Sequence, residues 1–153
     1  ERQARSARSL LRGEGFDCDI SVDVASGADT PLSLGSLVCL WSGGSPAMFI
    51  GSSALGERGK PAERVGEEAA RAFIDAVRSG ASVDKYTGDN LILWCSLSEG
   101  VSEFVVSELT AHIRTAIELS KRFTGAEASV GRLESGAARI RIKGIGFRNS
   151  YLG

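Results

Sequence analysis

The chain has 153 residues, 42% of them hydrophobic, which suffices for one ordinary domain or two small ones. Its 18 lysines and arginines oppose 19 aspartates and glutamates, so a polycation that coats nucleic acid by charge alone is excluded. No apolar run approaches the length of a membrane span and no signal-peptide pattern is present, so an intracellular protein is expected.

Residues 2–12 place Ala4, Ala7, Leu10 and Leu11 on one side and arginines on the other, which predicts a helix that Gly13 and Gly15 stop. Cys18 to Val24 alternates apolar and polar residues and predicts a half-buried strand. A polar loop over 25–34 follows. Leu37–Trp41 and Ala47–Ile50 read as a hairpin around a turn at 43–46. Residues 61–79 carry Val65, Ala69, Phe73, Ala76 and Val77 at helical spacing, with Glu63, Glu67 and Glu68 toward the positive end. Asp84 is a candidate cap for a helix near 85–98. Phe104–Val106 is a short strand. Residues 113–123 form a helix with Ile113, Ala116, Ile117 and Phe123 inward, and 127–133 with 138–145 form a closing strand pair.

This order gives an α+β fold of two small helix-on-sheet layers, joined near residues 80–83. Each half lacks an opening strand and the first residue is not Met, so the chain reads as the later part of a longer polypeptide. Trp41, Trp94, Phe73 and Phe123 suit core positions better than base stacking. Cys18, Cys39 and Cys95 are odd in number and form no Cys-x-x-Cys pair, and one histidine cannot complete a zinc site with them. They are expected as reduced, mostly buried thiols, and no metal-ligand set is expected.

The lone histidine, His112, lies where a strand-like run gives way to a helical one. A helix start offers backbone N–H groups to phosphate and disfavours imidazolium, which keeps the ring nucleophilic. Tyr86, Asp89 and Asn90 are spaced three and four apart and share one helical face. Arg58 and Lys60, in a Gly-flanked loop, are candidate phosphate contacts, although a solvated loop explains them as well. The basic clusters Arg2, Arg5, Arg8, Arg12 and Arg132, Arg139, Arg141, Lys143, Arg148 also offer charge to phosphates, against the plainer reading of solvated faces.

Three ordered blocks resemble the RNA 3'-terminal phosphate cyclases. They are Gly51-Ser52-Ser53-Ala54-Leu55-Gly56-Glu57-Arg58-Gly59 continuing to Ala70, then Ser79 to Tyr86 with Asp89-Asn90-Leu91, and Ser107-Glu108-Leu109-Thr110-Ala111-His112 with Thr115. Ile142 to Asn149 is similar to the C-terminal strand and tail of eukaryotic members. The resemblance implies that residues 1–80 are most of an inserted domain and 81–153 most of the last βαβαββ repeat. It implies ATP and Mg²⁺ as cofactors and RNA with a 3'-phosphate end as substrate. The remaining N-terminal part of the same enzyme would be the partner, with no membrane, in the nucleus if eukaryotic and otherwise in the cytoplasm. It further implies that His112 is the nucleophile that carries AMP, with Tyr86, Asp89 and Asn90 holding the nucleotide. Asn90 stands where the family usually has Gln, and Ala116 where many bacterial members have Asn. Two rival readings are a non-catalytic relative acting in ribosome biogenesis, which would lack the histidine, and an RNA-binding module without nucleotide chemistry.

Overall fold

The computed structural model describes residues 1–43 and 47–148. Residues 44–46 of the turn expected at 43–46, and the tail beyond Arg148, lie outside the described residues. The chain forms two compact units, one of Glu1–Trp41 with Gly51–Asp75, the other of Ser42–Ile50 with the chain from Ala76 onward.

In the first unit, α1 (Arg2–Gly13) buries Ala7 and Leu11, and α2 (Ala62–Arg78) buries Val65, Ala69, Ala70, Phe73 and Ile74. Both stripes follow the helical period that the sequence shows. The helices approach closely because Gly66 carries no side chain: a Cβ there would lie 2.2 Å from the Gln3 carbonyl oxygen. β1 (Leu37–Trp41) and β2 (Gly51–Leu55) pair antiparallel, from Leu37 opposite Leu55 to Trp41 opposite Gly51. Val38 and Leu40 point inward with Ala54 onto Val65 and Ala69.

The second strand of this hairpin therefore lies after the expected 47–50 run. The bulky residues of 47–50 suggest a strand, but the ladder is built on Gly51–Leu55, where Ser52 Oγ also donates to the Ala69 carbonyl at 2.8 Å. Cys18–Val24 forms no strand either. Phe16, Cys18 and Ile20 do alternate inward as half-buried residues, but no described strand pairs with them, and Val22 and Val24 are exposed. Alternation sets which way side chains face; a strand also needs a partner for its backbone groups.

In the second unit, β3 (Val101–Val106), β5 (Ala138–Lys143) and β4 (Glu127–Arg132) form an antiparallel sheet in that spatial order. β5 alternates strictly, burying Ala138, Ile140 and Ile142 while Arg139, Arg141 and Lys143 face water. The helices α3 (Lys85–Leu97) and α4 (Ala111–Thr124) cover the buried face with Ile92, Ile113 and Ile117. On the other face Arg139 and Arg141 pair with Glu103, and Lys143 pairs with Glu127. The segment 144–147 closes the end of α3: the N–H groups of Ile145, Phe147 and Gly146 donate to the Ser96, Leu97 and Ser98 carbonyls at 2.8–3.0 Å. These are helix-end carbonyls that would otherwise lack partners.

Val83 makes parallel bridges to Val106 on one side and Phe49 on the other. α3 starts directly after Val83, and α4 starts shortly after Val106. Two helix starts therefore emerge past the carboxyl ends of adjacent parallel segments, the place where open sheets bind ligands. Among the described residues no helix is long and apolar enough to cross a membrane.

Three aromatic residues expected in the core are not there. Trp41 is 73% exposed, Trp94 68% and Phe123 84%. Trp41 takes an outward position in the alternation of β1. Trp94 lies two residues beyond the buried Ile92, about 200° around the helix, and so faces away from the sheet. The inward stripe of α4 is Ile113, Ile117 and Ser120, which leaves Phe123 to one side. Phe73 is buried as expected and meets Phe16 edge to face at 6.2 Å between ring centres. All three cysteines are free; Cys18 and Cys95 are half-buried, but Cys39 is exposed because it points outward from β1.

Candidate active site

Thr110 caps α4: its extended backbone ends the preceding loop and its Oγ1 accepts the Ile113 N–H at 3.2 Å. This cap leaves the N–H groups of Ala111 and His112 without acceptors among the described residues. His112 is the second residue of the helix. Its neighbour Ile113 is fully buried and fixes the helix against the sheet, while the imidazole is exposed and makes no hydrogen bond or ion pair with a described residue. An exposed ring beside open amides suits attack on a phosphate group that those amides hold.

The start of α3 is built differently. Asp84 is only 6% exposed, and its Oδ1 accepts the Tyr86 and Thr87 N–H groups at 2.9 Å while Oδ2 accepts the Thr87 hydroxyl at 2.8 Å. The chain's own carboxylate thus occupies the second and third amides of this helix start. Of the two, the start of α4 leaves more amides open and has no carboxylate seated on it, so it is the better place for an anion.

Tyr86, in the first turn of α3, is 69% exposed and presents a ring to solvent. Asp89 is half-buried and Asn90 exposed. Asn90 Nδ2 donates to the Tyr86 carbonyl at 2.9 Å, so its amide nitrogen is engaged with its own helix and Oδ1 is the group left for a ligand. Two contacts bring this turn beside the first turn of α4. A Cβ on Gly88 would lie 2.6 Å from Val106 Cγ2 and 3.7 Å from Ile113 Cδ1, so the missing side chain sets the close approach. Lys85 Nζ donates to Glu108 Oε2 at 2.8 Å and lies 5.6 Å from the centre of the Tyr86 ring. The hydrogen bond to Glu108 is the main cause raising the Lys85 pKa above its ordinary value, against an opposing effect of burial.

Sequence reasoning missed the Lys85–Glu108 link. Each charge sits beside a helix start, which is its only sequence signal. Arg58 and Lys60 belong to the other compact unit. Arg58 is exposed, whereas Lys60 is held by the Glu68 carboxylate and by the Leu55 carbonyl at 3.4 Å. Its ammonium is already neutralised, which weakens its candidacy for phosphate. Among the described residues no group of three His, Cys, Asp or Glu side chains converges as a metal site.

The family model described as RNA 3'-terminal phosphate cyclase (RTC), insert domain, matches residues 1–78, more than half of the chain. The chain belongs to the RNA 3'-terminal phosphate cyclase family. The match ends at Arg78, the last residue of α2. The chain is 42% identical over 142 residues to the RNA 3'-terminal phosphate cyclase of Methanothermobacter thermautotrophicus, covering 93% of this chain and 40% of that protein. It is 37% identical over 147 residues to the RNA 3'-terminal phosphate cyclase of Pyrobaculum aerophilum, covering 96% of this chain and 41% of the relative. The chain thus spans about two fifths of the length of these curated relatives. The family resemblance read from the three sequence blocks is borne out, as is the α+β class of two small helix-on-sheet layers, whose sheets are both antiparallel.

Proposed function

We propose that this chain supplies the insert domain, residues 1–80, and the last catalytic repeat, residues 81–153, of an ATP-dependent RNA 3'-terminal phosphate cyclase. The observation that carries the reading is His112: an exposed, unengaged imidazole at the open start of α4 in a member of this family. In the first step an imidazole nitrogen attacks the α-phosphorus of ATP. A P–N bond forms, the bond between the α-phosphorus and its bridging oxygen breaks, and pyrophosphate leaves. An oxygen of the RNA 3'-phosphate then attacks the adenylyl phosphorus, breaking the P–N bond and freeing His112. Finally the neighbouring 2'-hydroxyl attacks the activated 3'-phosphate, AMP leaves with the anhydride oxygen, and the hydroxyl proton passes to a base. One difficult displacement becomes three accessible ones.

The Ala111 and His112 amides hold and polarise the phosphate under attack. Tyr86 offers a flat face to adenine, and Asp89 and Asn90 Oδ1 offer acceptors to the nucleotide. Mg²⁺ would neutralise triphosphate charge when bound; among the described residues no group of three His, Cys, Asp or Glu side chains would hold it. Trp94, Leu119 and Phe123, exposed on the outer side of α3 and α4, suit coverage by the rest of the polypeptide.

The test is incubation of the complete polypeptide that carries these residues with α-labelled ATP and Mg²⁺. Acid-labile, alkali-stable label, absent from His112→Ala, is the expected result. Normal labelling of the alanine variant removes the proposal.

A further inference from the structure

α1 carries a second feature that the chemistry above leaves unused. Arg5, Arg8 and Arg12 recur at spacings of three and four, so they line one face of the helix over about 10 Å. All three are exposed, and none has an ion pair among the described residues. Arg58 and Arg64 of the same unit are also exposed without an ion pair among the described residues, but they stand singly, whereas these three form a row. Arg2 pairs with Glu63, Lys60 with Glu68 and Arg71 with Glu67. The basic strand β5 is likewise matched by Glu103 and Glu127. Like charges three and four residues apart work against a helix, so this row stands uncompensated at a cost to the fold that carries it.

We infer that the arginine row of α1 is a track for the backbone phosphates of single-stranded RNA. Guanidinium groups stay charged at any pH the protein meets and grip phosphate oxygens in a forked geometry. Neighbouring side chains on the row stand about 5–6 Å apart, a step that suits successive phosphates of an extended strand. Asp17, Asp19 and Asp23 follow in the next segment, so the unit is not basic overall and a polyanion gains only along this row. The track reads no bases. It holds the strand by charge and so favours long RNA over short. This inference rests on the RNA reading above, but its site is separate from His112.

The experiment compares the complete polypeptide with a variant carrying Arg5→Gln, Arg8→Gln and Arg12→Gln, and with one carrying Lys at the same three positions. Fluorescence anisotropy measures binding to labelled single-stranded RNA with a 3'-phosphate, as a long strand and as a trinucleotide, over a range of salt. Removing three phosphate contacts lowers the slope of log affinity against log salt by about 2 and weakens long-strand binding at least about tenfold. The lysine variant keeps most of the slope, and trinucleotide binding is unchanged. An unchanged slope in the glutamine variant overturns the track and leaves the row to another acidic partner. Gln is a good helix former, so loss of fold is not expected, and thermal melting checks it. ATP labelling of His112 without RNA is the independent readout: its absence in the unaltered protein sinks the cyclase mechanism, while the salt slopes still decide the arginine row.

Discussion

Lys85 Nζ stands 2.8 Å from Glu108 Oε2, and this contact ties the first residue of α3 to the loop that enters α4. Both partners are partly exposed, so the pair contributes no more than about 1 kcal/mol to stability. Its greater effect is positional, because Lys85 also flanks the Tyr86 ring and Glu108 stands shortly before the Thr110 cap. Lys85→Met is expected to leave the unfolding midpoint nearly unchanged while slowing labelling of His112 at low ATP by about two- to fivefold, an effect of order 0.5–1 kcal/mol. Initial labelling rates against ATP concentration, beside a denaturation curve, separate the two effects. A raised folded-state lysine pKa means the pair's contribution is fully present below the ordinary lysine value of 10.5 and is lost as pH rises through the raised value.

Gly66 stands where α2 meets the backbone of α1. A Cβ there falls 2.2 Å from the Gln3 carbonyl oxygen and 2.9 Å from the Ala7 nitrogen, neither of which can swing away. Alanine gains about 1 kcal/mol of helix propensity, but forcing the helices apart costs about 1–3 kcal/mol plus loosened burial of Ala7 and Leu11. Gly66→Ala is therefore expected to lower stability by about 1–2 kcal/mol. Gly13→Ala, where no atom lies within 4 Å, is expected to be neutral or slightly stabilising. Urea titration of both variants is decisive: equal behaviour would mean the helices do not touch at Gly66.

Much of this architecture is legible in the residues. α2, α3 and α4 follow from apolar spacing, and Asp84 marks a helix start with a side chain that suits the task, whereas α4 starts two residues before the expected 113, on a Thr110 cap. β5 is legible because Ala138, Ile140 and Ile142 alternate with three cations. His112 is placed at a helix start by the same local logic. What resists reading depends on partners distant in sequence. Gly51–Leu55 becomes a strand because β1 and the Ala69 carbonyl await it, whereas the better alternation at Cys18–Val24 finds no ladder. Trp94 and Phe123 look like core by size, but their angle around each helix decides otherwise. Lys85 and Glu108 are 23 positions apart, and only the packing of two helix starts joins them.

Arg2 holds the Glu63 carboxylate with a two-pronged contact of 2.8 and 3.0 Å. The hydrogen bond from Arg2 is the largest cause lowering the Glu63 pKa from 4.5 to about 2, aided by a backbone hydrogen bond and opposed by slight burial. A depressed carboxylate stabilises the fold above its unfolded pKa, and the contribution is lost as pH falls through the folded value. The first unit is thus expected to lose this contribution between about pH 4.5 and about 2. Both side chains are solvent-exposed, so salt should shrink the effect. Carboxyl NMR titration should find Glu63 well below ordinary glutamates and returned toward them in Arg2→Ala. An ordinary value in the unaltered protein would show that the pair does not persist in solution.

Asp84 is the most exacting polar position in the second unit. It is buried, caps α3 through two N–H groups and accepts the Thr87 hydroxyl. Asp84→Ala leaves those donors without their acceptor in a part-buried site. Losing the cap costs about 1 kcal/mol, and the stranded donors raise the total to about 2–3 kcal/mol. Asp84→Asn keeps one acceptor oxygen but swaps the other for a donor that faces the Thr87 hydroxyl, so its cost should fall between. The loss should also loosen the turn that carries Tyr86 and Asn90, so ATP-dependent labelling of His112 is expected to weaken in the same order. Denaturation and labelling of the three proteins check this together. If Asp84→Ala proved as stable as the unaltered chain, α3 would have to start on some other group, and the contrast between a carboxylate-occupied start at α3 and a more open one at α4 would fail.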